Sequence, residues 1–157
     1  MTVGATTTAD LSRTRAVRYC AITKSFFSLK CGPCSFDSAP IAFETHRRWF
    51  DDSLQRPDRH LFIVLADGHE TGVVRLDVAE AAGTVSIHLA PAWRGRGVGP
   101  SALAALERIA FGALGLARME ARVKADNAAS LAAFRKAGFV AVVAKPPVSL
   151  VKVRREG

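Results

Sequence analysis

The chain has no apolar run near the roughly 20 residues that cross a bilayer, and its first residues lack the charged start and apolar core of a secretion signal. A cytoplasmic location with no membrane partner is therefore expected. Cysteine is scarce, three residues in all, and Cys31 and Cys34 form a C-x-x-C pair. Neither flank of that pair reads as the strand and helix that carry a thioredoxin-type motif. Beyond Cys20, only four scattered histidines remain to complete a zinc site, so no metal is expected. The plain reading of Lys30 to Cys34 is a loop with reducible thiols. No internal repeat or low-complexity linker is present. Tyr19 is the one tyrosine, hence the one phenolic proton donor in the chain.

What is present looks globular. Hydrophobic residues make up 49% and charged residues 23% of 157, a length that suits one domain around one core. The net charge is +8, from 22 Lys and Arg against 14 Asp and Glu. A field of that sign attracts nucleic acid, membrane surfaces and small polyanions alike. Apart from Arg47-Arg48 and the tail residues Lys152, Arg154 and Arg155, the basic residues are scattered. With no basic tract and no basic amphipathic helix, a nucleic-acid partner is not expected.

The most informative stretch is Ser86 to Ser101, SIHLAPAWRGRGVGPS. Gly95, Gly97 and Gly99 at alternate positions let the backbone turn tightly and aim several N–H groups at one point, where the following helix adds its partial positive charge. Arg94 and Arg96 add full charges. Pro100 fits as the first helical residue, because the N–H it lacks has no partner there anyway. The stretch is built to hold phosphates. It is not a P-loop, since no Lys-Ser/Thr pair follows the glycines, and G-x-G-x-G in mid-chain is not the dinucleotide spacing.

In chain order, Met1 to about Ser12 reads as a frayed start and Ala16 to Ile22 as a short strand. Phe43 to Leu54 reads as a helix, with Phe43, Phe50 and Leu54 at helical spacing, His46 and Trp49 at its margins, and Pro57 ending it. His60 to Ala66, Thr71 to Val78 and Thr84 to Ala90 read as an antiparallel meander, with Asp67-Gly68 and Gly83 as turn residues. Pro100 to Leu114 is predicted helical, with Leu103, Leu106, Ala110 and Ala113 on one face and Gly115 closing it. Met119 to Val123 is a strand able to run parallel to the one before the loop. Asn127 to Gly138 is a helix N-capped by Asn127. Val140 to Val143 and Val148 to Val153 form a hairpin around Lys145-Pro146-Pro147.

Arg94-x-x-Gly97-x-Gly99, with Leu89-Ala90-Pro91 before it, resembles the acyl-CoA pyrophosphate loop of the GNAT superfamily of N-acetyltransferases. Asn127-Ala-Ala-Ser130-Leu-Ala-Ala-Phe134-Arg-Lys-Ala-Gly138-Phe139 resembles that family's second signature, at the expected distance. The resemblance implies an α/β (α+β) fold: a mixed, mostly antiparallel central sheet with helices on both faces and a V-shaped splay between the two middle strands. It implies acetyl-CoA as cosubstrate, a primary amine of a small molecule as acceptor, and a monomer or homodimer. Carried over by position, Ile87, His88 and Leu89 pair with the pantetheine arm like an added strand. Arg94, Gly95, Arg96, Gly97, Val98 and Gly99 hold the pyrophosphate, and Asn127, Ser130 and Phe134 line the other side.

A narrower similarity joins Ser35 to Ile41, Glu44 to Phe50 and Gly72 to Asp77 to the amino-sugar N-acetyltransferases of pseudaminic-acid type, which act on a UDP-linked sugar. The resemblance covers about Ser35 to Phe139 and leaves residues 1–34 unplaced within a single domain of residues 1–157.

Transfer to an amine requires a base, a donor for the thioester oxygen and a proton for the thiolate. The base candidates are His46, His88 and Glu44, and a backbone N–H near Leu89 is the oxyanion donor. On the third strand Val85, Ile87 and Leu89 share one face, so His88 lies on the other with Thr84 and Ser86. His46 and Arg75 are candidate acceptor contacts, although His46 also suits a satisfied, partly buried position and Arg75 suits an ion pair with Asp77. Phe134 stands where many relatives carry a proton-donating Tyr, and Phe cannot donate. Other acceptors remain open: a protein N-terminal amine, an amino acid or an aminoglycoside. Two other classes remain open as well, a CoA-binding module without catalysis and a thiol redox protein based on Cys31 and Cys34.

Overall fold

The computed structural model describes residues 17–18, 48, 51–53, 55–143 and 145–154. Their strands are β1 (Val17–Arg18), β2 (Arg59–Ala66), β3 (His69–Ala79), β4 (Ala82–Leu89), β5 (Arg118–Val123), β6 (Val140–Val143) and β7 (Val148–Val153). Helix α1 (Val98–Glu107) lies between β4 and β5, and α2 (Ala128–Lys136) between β5 and β6. The sheet order is β1-β2-β3-β4-β5-β7-β6, antiparallel throughout except that β4 and β5 run parallel. This is the mixed, mostly antiparallel sheet expected from the sequence.

Alternation decides which side of each strand meets the core. Phe62 and Val64 of β2, Val74 and Leu76 of β3 and Val85 of β4 share a face with Met119, Ala121 and Val123 of β5 and with Val148 and Leu150 of β7. Leu103 and Leu106 of α1 and Phe134 and Ala137 at α2 close over that face. On the opposite face of β2, Leu61 and Ile63 are also buried. Helical residues 51–53 adjoin this side, where buried Ser53 accepts a bond from Arg59 Nη1 at 3.0 Å.

Turn chemistry sets the meander. Asp67 and Gly68 both take left-handed φ, +52° and +78°, as the tight β2–β3 hairpin requires. Gly83, expected in the next turn, instead lies within β4, and the turn falls on Glu80-Ala81 with Glu80 at φ +54°. Gly83 is needed for packing: a Cβ there would stand 2.6 Å from Leu76 Cδ1 and 2.8 Å from Leu116 Cδ1.

Helix α1 begins at Val98, two residues earlier than expected, so Pro100 is its third residue. Its missing N–H is still among the four that no helical carbonyl reaches. After Glu107 the backbone widens into π-helical turns, Arg108–Ala113, which leaves Ala113 exposed rather than on the core face. Gly115 at φ +64° then turns the chain into β5. Asn127 caps α2 as expected, its Oδ1 accepting from Ser130 N–H at 3.1 Å. At the other end Lys152 Nζ donates to the Ala137 carbonyl and to Glu107 Oε2, both at 2.6 Å, so one side chain of β7 fastens α2 to α1.

Of the expected first strand, Val17–Arg18 is extended and pairs with β2, and the rest lies outside the described residues. Of the expected Phe43–Leu54 helix, residues 48 and 51–53 are helical, whereas Phe43, His46, Trp49, Phe50 and Leu54 lie outside the description. The Cys31/Cys34 pair and Tyr19 lie outside it too.

Candidate functional site

The site begins where pairing stops. Strands β4 and β5 match at only three positions, Ala82 to Arg118, Gly83 to Met119 and Thr84 to Glu120. Beyond them β4 continues to Leu89 and β5 to Val123, and β5 is paired along its other edge with β7 as far as Val123–Val148. The two middle strands therefore splay, and the edge of β4 from Val85 to Leu89 has no strand beside it among the described residues.

That half of β4 is held from one side only, by β3, and the hold is tight. Gly72 faces Leu89 in the register, and a Cβ on Gly72 would stand 2.3 Å from His88 O and 2.5 Å from Leu89 Cδ2. Only glycine permits that approach. Thr71, the extra residue where the β2–β3 register shifts between Val64 and Leu65, donates its buried hydroxyl to Val64 O at 3.0 Å. Its own carbonyl accepts from Ala90 N–H at 2.8 Å, which pins the exit of β4.

The glycine loop follows through a 3-10 turn, Pro91–Trp93. Gly95 and Gly97 adopt φ +72° and +76°, a conformation costly for any residue with a Cβ. Gly97 is the N-cap of α1 and supplies no side-chain cap, so no capping side chain takes up the first N–H groups of the helix, as an anion site requires. A Cβ on Gly99 would stand at ordinary contact distance, 3.4 Å from Ala133 Cβ and 3.6 Å from Leu89 Cδ1, so α1, α2 and β4 meet behind the loop without requiring glycine there. Arg94 Nε donates to Leu89 O at 3.0 Å. The Arg96 guanidinium lies over the Trp93 ring at 5.5 Å. A pleated edge open on one side and a left-handed loop at an uncapped helix N-terminus fit an extended ligand that ends in phosphates.

A family profile described as "Acetyltransferase (GNAT) domain" matches residues 26–140. The chain belongs to the GNAT acetyltransferases. No curated protein matches it significantly in sequence. Solved structures share the fold at low identity. Campylobacter jejuni N-acetyltransferase PseH, in complex with acetyl coenzyme A, is 19% identical over 72% of this chain and 80% of that one, with a TM-score of 0.64. Mycobacterium smegmatis RimJ, in complex with CoA-disulfide, is 16% identical over 82% and 76%, with a TM-score of 0.71. The spermidine N-acetyltransferase of Vibrio cholerae, in complex with CoA and spermine, is 16% identical over 75% and 79%, with a TM-score of 0.65. GNAT enzymes use acetyl-CoA.

Within this GNAT fold the predicted donor-site residues fall on β4, on the loop and on α2. Ile87, His88 and Leu89 lie on the splayed half of β4, and Arg94 to Gly99 form the loop and helix start beside it. The faces are as expected: Ile87 and Leu89 pack against the core, while Thr84 and Ser86 are exposed on the side of half-buried His88. Asn127 and Ser130 are joined in the cap of α2. Phe134 is a core residue, 2% exposed and edge-to-face with Phe139 at 5.0 Å, so its ring is not an open wall of the slot.

On the His88 face, Arg75 pairs with Asp77 at 3.0 Å, and Arg59 binds the other oxygen of the same carboxylate. Arg75 is thus anchored in a cluster of Arg59, Asp77 and Ser53. Glu44 and His46 lie outside the described residues. No group of His, Cys, Asp and Glu among the described residues could hold a metal ion, and no described helix is long and apolar enough to cross a membrane.

Two contributors escaped the sequence reading. Gly72 was visible as a glycine inside a β-branched run, the pattern of a close backbone approach, whereas nothing local marks Trp93 as the seat of Arg96.

Proposed function

We propose that this GNAT enzyme acetylates a primary amine of a small molecule, of the nucleotide-linked amino-sugar class, by direct attack on the thioester of acetyl-CoA. The observation that carries the reading is the parting of β4 and β5 after three pairs, directly above an uncapped, left-handed loop. When bound, acetyl-CoA supplies an activated acetyl carbonyl.

The remaining steps belong to the chain. Backbone groups of Ile87 to Leu89 hold the extended arm as a strand would. The loop Arg94 to Gly99 neutralises the pyrophosphate with N–H groups and guanidinium charge. Asn127 and Ser130 fix the start of α2 on the opposite wall, with Phe134 packed behind them. A backbone N–H near Leu89 donates to the carbonyl oxygen as charge develops there. His88, on the neighbouring face of β4, takes the proton of the amine, with Glu44 and His46 as the other candidate bases. Arg75, anchored through Asp77, faces the acceptor side beside Ser86 in the register and suits an acceptor phosphate. Phe134 provides no proton for the departing thiolate, which leaves that role to solvent or to another group.

The segment Gly72 to Asp77 supports the amino-sugar class; a protein N-terminal amine or an amino acid is the second reading. The deciding experiment is thermal stabilisation by acetyl-CoA of the wild type and of Gly97→Asp, followed by a scan of amines. The wild type rises in melting temperature and the variant does not. Equal behaviour of the two removes the loop assignment, and binding without turnover of any amine leaves a CoA-binding module.

A further inference from the structure

The two arginines that flank Gly95 are held by unlike partners. Arg94 is fixed by a hydrogen bond to the end of β4. Arg96 is exposed, and its guanidinium carbon lies 5.5 Å from the centre of the Trp93 ring, within the roughly 6 Å over which an indole face attracts a cation. The indole is itself well placed to act as a fixed seat. It packs against the hydrophobic core from the 3-10 turn, and its ring meets that of His69, the first residue of β3, at 6.1 Å. A long side chain resting on a fixed ring has fewer rotamers left to lose when it meets an anion.

We propose that Trp93 is a positioning residue, which seats the Arg96 guanidinium beside the N-terminus of α1 so that it is in place for a phosphate of the acetyl donor. The proposal rests on the donor-loop reading above, and goes beyond it in dividing the two arginines: Arg94 shapes the end of β4, and Arg96 is the charge that Trp93 presents.

The test is a double-mutant cycle on the full chain, read as the dissociation constant of acetyl-CoA by titration calorimetry, with melting temperatures recorded in parallel. Trp93→Leu weakens binding about two- to fivefold, leaves kcat at saturating donor unchanged, and is largely rescued by Trp93→Phe. In an Arg96→Ala background Trp93→Leu costs nothing further. The proposal is overturned if Trp93→Leu weakens binding by the same factor with and without Arg96, which is the signature of simple loop packing, or if it does not weaken binding at all. Failure of the donor-loop reading looks different: wild type and Gly97→Asp then bind acetyl-CoA alike, or neither binds, and the proposal falls with it.

Discussion

The arm of the sheet from β1 to β4 and the arm of β5, β7 and β6 are paired as strands at only three positions, and they are built differently on either side of that seam. In the first arm β2 pairs with β3 along its whole length, and residues on both of its faces are buried. In the second, β6 is an edge strand of four exposed residues, and Val140 and Val142 are 67% and 61% exposed. The second arm is held chiefly from its core face, by α1, α2 and the Lys152 link. The difference follows from the slot. Half of β4 gives up a neighbour so that its edge stays open, and its position must then be fixed from β3 and from the loop that follows. Hence the close approach at Gly72, the bond from Ala90 to Thr71 and the Arg94 latch on Leu89 all concentrate at that point.

The comparison breaks most sharply at the two strand glycines. Gly72→Val drives a side chain into the backbone of β4, which cannot move without losing its register. A loss of at least about 3 kcal/mol is expected, seen as little or no folded protein in a thermal melt. Gly83→Ala, at the seam, meets only the ends of Leu76 and Leu116 and costs about 1–3 kcal/mol. Equal costs at the two sites would mean that the slot wall is not specially constrained.

The second arm is tested at Lys152. Lys152→Met keeps the stem but leaves Glu107 and the Ala137 carbonyl without their donor, and about 1–3 kcal/mol is expected by denaturant titration. A negligible effect would show that apolar packing alone holds α2 to α1.

The smallest effect belongs to Asp58, just before β2. Its hydrogen bond with Arg56 holds the carboxyl below the usual carboxylate range. A carboxyl so depressed contributes stability above its unfolded value and loses it as pH falls through the folded one. The pair is about half exposed and open to solvent, so Asp58→Asn should barely shift the melting temperature at pH 7, and the difference should vanish in acid. A large loss at pH 7 would show that the first arm depends on surface charge as well as on register.

Much of this was legible in the chain. The meander, the parallel step into β5 and the Asn127 cap follow from alternation, spacing and one side-chain acceptor, all of which are local. Gly83 and Phe134 show where locality ends. Gly83 looks like a turn residue because glycine is common in turns, yet its reason for being glycine is Leu116, far along the chain. Phe134 occupies a motif position, but whether its ring faces a ligand or the core depends on Phe139 and the sheet beneath it.

The sequence by itself determined most of the elements, the family resemblance and the pattern of glycine and charge from Arg94 to Gly99, because backbone conformation and charge are properties of short segments. Only the tertiary structure decided that β4 and β5 part after Thr84 and that Asp77 engages both Arg59 and Arg75. Each of these depends on residues brought together by the sheet register, and register is set by the packing of the whole core rather than by any segment alone.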